Sequence, residues 1–139
     1  MTSTILAIAA GGASGAVLRH YVGGAVQRAV SSGASAGGAG WLAGAAAFPW
    51  GTLVVNVLGC FALGTLAGYE VRVGAMPPVL RMGLVIGFLG GFTTFSSFGL
   101  ETVRLLHGGE IVRATAYVAL SNVAGIGALA LGLKLAERG

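Results

Sequence analysis

The stretch Gly83-Leu84-Val85-Ile86-Gly87-Phe88-Leu89-Gly90-Gly91-Phe92-Thr93-Thr94-Phe95-Ser96-Ser97-Phe98 decides the fold of this chain. It starts as an apolar membrane segment and changes character at Gly90-Gly91, after which four hydroxyl residues and three phenylalanines fill seven positions. The apolar run around it, Val79 to Leu106, is 28 residues long. One straight helix of that length reaches about 42 Å at 1.5 Å per residue, against roughly 30 Å of bilayer hydrocarbon. Such a helix must tilt, protrude or break. Paired glycines lower helix propensity by about 1 kcal/mol each relative to alanine, so Gly90-Gly91 is the expected place to break. Backbone opened at membrane depth survives only inside protein or beside a water-filled cavity. The stretch therefore reads as a site.

Composition agrees with a membrane solution. Of 139 residues, 55% are hydrophobic and 9% charged, with a mean hydropathy of +0.88; soluble domains carry about 25% charged residues. At roughly 20 residues per span, the length accommodates four transmembrane helices and no separate soluble domain. No Lys or Arg precedes the apolar run from Ile5, which argues against a signal peptide. The single cysteine, Cys60, lies in an apolar run and reads as a small packing residue. A net charge of +4 raises the question of nucleic acid. The eight basic residues are scattered singly between apolar runs and make no patch, so no nucleic-acid partner is expected.

Outward from the opening stretch, four spans are expected in one domain covering residues 1–139, at about 4–29, 48–69, 79–106 and 110–135. In the first, Gly11 and Gly15 form a small-xxx-small step that lets another helix approach closely. Ser31 to Ala47 is almost wholly Gly, Ala and Ser and reads as a flexible connection. Pro49 suits the first turn of the second span, whose ends carry Trp50 and Tyr69 at interfacial positions. Pro77-Pro78 stops a helix, and His107-Gly108-Gly109 separates the third span from the fourth.

Orientation follows the Lys and Arg bias between sides. One side carries Arg72, Arg81, Lys134 and Arg138; the other carries Arg19, Arg28, Arg104 and Arg113. Four against four is no bias. Either the chain inserts both ways, giving dual topology and an antiparallel homodimer, or one residue such as Arg19 belongs elsewhere and a weak bias exists.

Polar residues inside the spans supply the chemistry. Thr52 and Asn56 are one turn apart on the second span, and an amide at that depth is costly without partners or water. An interhelical hydrogen bond would satisfy it equally well. In the fourth span Tyr117 and Ser121 share a face that continues to Gly125, although a membrane serine can also bond its own i−4 carbonyl. Taken with the hydroxyls Thr93, Thr94, Ser96 and Ser97, these groups describe a path of neutral donors. Phe95 and Phe98 lie on one side of the half-helix beyond the break, and aromatic edges offer an anion a weakly attractive, dry surface. Arg19 either snorkels to the interface or draws anions into a vestibule. Glu101 and Arg104 are spaced to pair with each other.

At this point the chain resembles the Fluc/CrcB fluoride channels. The similarity lies in Gly87 to Phe98 with Glu101, in Trp50-Gly51-Thr52-Leu53-Val54-Val55-Asn56 with Gly59, and in Gly12-Ala13-Ser14-Gly15-Ala16-Val17-Leu18-Arg19. The resemblance implies an all-α membrane protein with four helices per subunit and the third helix broken mid-membrane. It also implies an antiparallel dual-topology homodimer in the prokaryotic inner membrane, surrounded by lipid and conducting fluoride passively. A structural Na+ would lie at the dimer centre on the backbone carbonyls of Gly90 and Thr93 of each subunit. The pore residues carried over are Asn56, Phe95, Phe98, Tyr117 and Ser121, with Thr52, Thr94, Ser97 and Arg19 beside them. Where relatives carry a further hydroxyl this chain has Gly125, and water, Thr94 or Ser97 would have to fill the step.

Other classes fit less well. A small dual-topology multidrug or cation exporter needs an acid in the first span, and this span has none. A non-transporting membrane scaffold would be indifferent to conservative change at Asn56 or Phe95. An enzyme is not expected, because His20, His107 and Cys60 fall on separate segments without a motif.

Overall fold

The computed structural model describes residues 1–36 and 47–139, and among them the regular structure is helical. Four helical segments among the described residues are long and apolar enough to cross a membrane: Thr2–Gly33, Trp50–Val73, Pro78–His107 and Ile111–Arg138. The first belongs to α1, Thr2–Ala36, which runs past the expected end at Ala29 and into the expected flexible connection. Ser31 to Ala36 contains a single glycine among serines and alanines. Those residues anchor a span poorly but sit in a helix without strain. Residues 37–46 of the expected connection lie outside the described residues.

Helix α2, Trp50–Val73, starts just after Pro49, whose carbonyl accepts from Leu53 N at 3.2 Å. Pro49 thus stands as the residue before the helix rather than in its first turn. At the far end Gly74 takes φ 105°, a left-handed value that side chains avoid, and its N–H closes on Glu70 O at 3.0 Å. The Glu70 carboxylate receives Arg81 Nε at 3.1 Å and Met76 N at 3.3 Å. This ties the connection to the start of the third span.

The third span is a composite. It comprises α3, Pro78–Arg81, a π-helical segment π1, Met82–Leu89, then α4, Gly90–Phe92, and α5, Phe95–His107. The expectation that the helix opens at Gly90-Gly91 is corrected here. Gly90 keeps right-handed helical dihedrals (φ −64°, ψ −35°), and the residues that leave them are Thr93 (φ −81°, ψ 157°) and Thr94 (φ −151°, ψ 114°). The reason lies in packing. A Cβ on Gly91 would sit 2.5 Å from Gly12 O, and one on Gly87 would sit 2.7 Å from Ile8 O. Gly11 and Gly15 answer from α1, against Gly83 O and Phe88 O. These glycines bring two backbones together, as small residues do between membrane helices, and do not weaken the helix they occupy.

Helix α6, Ile111–Arg138, runs along α2 through a second glycine seam. Gly64 abuts Leu129, Gly68 abuts Leu133, and Gly132 lies against Phe61 O and Thr65. A small core gathers Phe48, Leu53, Leu105, Ala114 and Tyr117, from the start of α2, the end of α5 and the start of α6. Much of the remaining apolar surface is open, with Phe95 83%, Val123 73% and Ile126 70% exposed. In water such patches are a liability; on membrane helices they are the expected outer surface.

Candidate functional site

The site grows from the two extended threonines. Thr93 N still reaches Leu89 O at 2.9 Å, so the helix ladder ends cleanly there. Thr94 N turns away and donates to Asn56 Oδ1 at 2.8 Å, while Asn56 Nδ2 donates to Thr94 O at 3.2 Å. One side-chain amide therefore satisfies both the N–H and the C=O of Thr94, in surroundings where unpaired polar groups are costly. Thr94 also caps α5: its Oγ1 accepts from Ser97 N at 3.1 Å and donates to Ser97 Oγ at 3.0 Å. Asn56 thus makes an interhelical bond, and it also lines a cleft beside the interruption. Its NH₂ has a second hydrogen to give.

Glu101 has the partners that its spacing to Arg104 concealed. Thr52 Oγ1 donates to one carboxylate oxygen at 2.8 Å and Tyr117 OH to the other at 2.6 Å. Among the described residues no ion pair joins Glu101 to Arg104; the pairs are Arg81 with Glu70 and Arg113 with Glu110. A carboxylate inside a span demands several donors, and a local i, i+3 pairing could not meet that demand. Each hydroxyl has one hydrogen, so Thr52 and Tyr117 are committed donors in this arrangement.

Two clefts flank the interruption. The larger, about 710 Å³, is lined by Arg19, His20, Thr52, Ser97 and Glu101 among others. The smaller, about 450 Å³, is lined by Asn56, Gly90, Thr93, Phe95, Phe98 and Ser121 among others. Thr94 lines both. Thr52 and Asn56, one turn apart, thereby face different clefts, with the opened backbone as the wall between them. Arg19 extends from α1 to this wall, its Nη1 lying 3.4 Å from Thr93 O.

Ser121 Oγ is buried and has no hydrogen-bond partner among the described residues. It does not fold back onto its own helix, whereas Asn122 does, donating to Val118 O at 2.7 Å. Phe98 stands between Phe95 and Tyr117, with ring centroids 5.6 Å and 5.2 Å away. Tyr117 is fully buried behind it, bonded to Glu101, and lines neither cleft. At Gly125 the nearest side-chain atom to an added Cβ is Cys60 Sγ, at 3.5 Å. Cys60 also lines the smaller cleft, so the residue read as plain packing borders the same space as Asn56 and Ser121. Its place opposite Gly125 depends on the pairing of α2 with α6, for which the sequence carries only the glycine spacing.

Residues 6–133 match the model of the family described as CrcB-like protein, Camphor Resistance (CrcB). The chain is 46% identical over 131 residues to the Fluoride-specific ion channel FluC of Rhodospirillum centenum, covering 94% of this chain and 93% of that one. It is 48% identical over 122 residues to the protein of the same name from Geobacter sulfurreducens, covering 88% and 86%. To that of Pseudomonas fluorescens it is 40% identical over 137 residues, 99% of each chain. The family model and these relatives agree: the chain belongs to the CrcB-like family, a family of ion channels and not of enzymes.

Proposed function

We propose that the protein is a passive fluoride-selective channel, acting as an antiparallel dual-topology homodimer in the prokaryotic cell membrane. The observation that carries the reading is the Thr93–Thr94 backbone, held open by Asn56 at the wall shared by both clefts. At membrane depth such an opening is tolerated only beside protein or water, and here it lies against Asn56 of α2 with a cleft on either side.

Fluoride is small and strongly hydrated, so a selective path must replace its water with small donors at close range. It must also hold the ion weakly enough to let it leave. The donors with hydrogens to spare are Ser97 Oγ and the second Asn56 N–H on either side of the wall, then Ser121 Oγ beyond. Arg19 draws the anion into the larger cleft, and the edges of Phe95 and Phe98 line the smaller one. Glu101 fixes Thr52 and Tyr117, and their two donated protons blunt its repulsion of a passing anion. No acid on α1 offers a site for proton exchange, so flow follows the gradient.

The even split of Lys and Arg and the exposed Phe95, Val123 and Ile126 support a partner inserted in the opposite sense, with lipid around the pair. The carbonyls of Gly90 and Thr93 fit a sodium ion between two such subunits. The Thr94 N–H that a continuous helix would give to Gly90 O goes to Asn56 instead. Thr93 O accepts one long bond from Arg19 and keeps a second lone pair. Sodium held by these carbonyls would supply a fixed positive charge, a hard cation suited to oxygen ligands.

Efflux of fluoride from liposomes holding the purified protein, with chloride as control, tests the reading. Fluoride flux without chloride flux is expected; equal flux of both, or none, would sink it. Reporter fusions at the C-terminus test dual topology and are expected to signal on both membrane faces.

A further inference from the structure

We propose that the Cys60 thiol is a further ion-facing donor on the fluoride path, one turn beyond Asn56 in the smaller cleft. The inference rests on the channel reading and extends that path by one residue. It starts from the pairing of α2 with α6. Gly64 abuts Leu129 and Gly68 abuts Leu133, while a Cβ on Gly125 would meet Cys60 Sγ at 3.5 Å. The same offset in sequence separates the members of each pair, so the two helices run parallel in a fixed register. Residues one turn apart on α2 are therefore level with residues one turn apart on α6.

Continued towards the start of both helices, that register sets Asn56 level with Ser121 and Thr52 level with Tyr117. Both levels are polar. Thr52 and Tyr117 meet on the Glu101 carboxylate, and Asn56 and Ser121 line the smaller cleft. Cys60 and Gly125 form the next level. Cys60 is a half-buried free thiol that lines the same cleft. On this face of α2 it is the last polar group before Gly64 and Gly68 close the seam. Ser121 gives an independent sign that the cleft takes a polar guest. Its Oγ is buried without a hydrogen-bond partner among the described residues, a state that costs free energy until something fills it. The second Asn56 N–H is also free to serve such a guest. The thiol is a weak donor on a soft, polarizable atom. Gly125 sets no side chain against it, so the S–H is free to turn to an ion arriving from the Ser121 level. A weak donor suits a position that must pass its ion on.

The test is fluoride current in planar bilayers in chloride-free solution, with silver ion as the probe. Thiolate ligands select soft cations; silver forms an S–Ag bond as the thiol proton leaves to water. Cys60 is the single cysteine of the chain. Wild-type current is expected to fall on adding silver and to return when excess mercaptoethanol takes the silver away. Cys60→Ser is expected to keep the current and lose the block. Cys60→Ala is expected to lose about fivefold in current, the worth of one modest hydrogen bond. Adding Gly125→Ser to Cys60→Ala returns a hydroxyl to the same level from α6 and is expected to restore most of that loss, which a packing role alone would not do. No silver block of a conducting wild type would overturn the inference alone. So would a block that persists in Cys60→Ser, an undiminished current in Cys60→Ala, or a loss there that Gly125→Ser does not restore. Absence of fluoride current in the wild type would overturn the channel reading and the inference together.

Discussion

Asn56→Ala removes both bonds to Thr94, at 2.8 Å and 3.2 Å. It leaves a buried N–H and a buried C=O without partners, at about 1–3 kcal/mol each. Water in the adjoining clefts recovers part of that, so a net cost of roughly 2–4 kcal/mol is expected for the open Thr93–Thr94 geometry. At 1.4 kcal/mol per factor of ten, the productive conformation falls about 30- to 700-fold in population relative to alternatives such as a re-wound helix. Fluoride efflux from liposomes at equal protein density is expected to fall at least about 30-fold. Hydrogen exchange of the peptide spanning 90–98 should change in parallel, because the Thr94 amide loses its acceptor. Asn56→Asp sharpens the argument: it can accept from Thr94 N but cannot donate to Thr94 O, and it adds negative charge on the anion's route. It is expected to conduct less than the alanine variant. Near-normal efflux in Asn56→Ala, with unchanged exchange at 90–98, would refute the claim that this amide holds the backbone open.

Ser121→Ala is expected to lower fluoride conductance several-fold with thermal stability unchanged or slightly raised, since the buried hydroxyl has no protein partner to lose. Unaltered conductance would remove Ser121 from the path. Phe95→Ile is expected to cut flux with little loss of dimer by size-exclusion chromatography, because isoleucine keeps an apolar side chain on this exposed surface while removing the ring edge. Phe98→Ile should cut flux too, with a further loss of stability of about 1–3 kcal/mol from its packing on Tyr117. Unchanged flux in both would end the idea of inward-facing ring edges. Gly91→Ala forces a Cβ to 2.5 Å from Gly12 O and is expected to lower the melting temperature in detergent sharply. Gly33→Ala meets nothing within 4 Å and serves as its neutral control.

The four spans were legible because hydrocarbon thickness and the 1.5 Å rise turn apolar run length directly into architecture. The same arithmetic marked Val79 to Leu106 as too long for one straight span, yet it placed the weak point three residues early. Propensity treats Gly90 and Gly91 as local weakness, whereas Gly91 is a contact with Gly12, some eighty positions away. Glu101 was misread for a related reason. Arg104 is its neighbour along the helix, but the hydroxyls that hold the carboxylate lie 49 and 16 residues away in sequence. The π-helical turn at Met82–Leu89 left no signal, since its residues are those of any membrane helix. Asn56, Thr94 and Ser121 were found because a polar group in an apolar run needs an explanation wherever it stands. Which of them would bond to each other needed the fold.

The seam between α1 and the third span joins backbone to backbone at Gly11, Gly15, Gly87 and Gly91. A contact of that kind has no rotamers to exchange and no soft side chain to absorb a small displacement. It behaves like meshed teeth: a shift along it comes as a whole helical turn, roughly 5.4 Å, or does not come at all. The wall at Thr94 is mounted on one side of those teeth and Arg19 on the other, so the two are held in register by steric exclusion, whichever ion is passing.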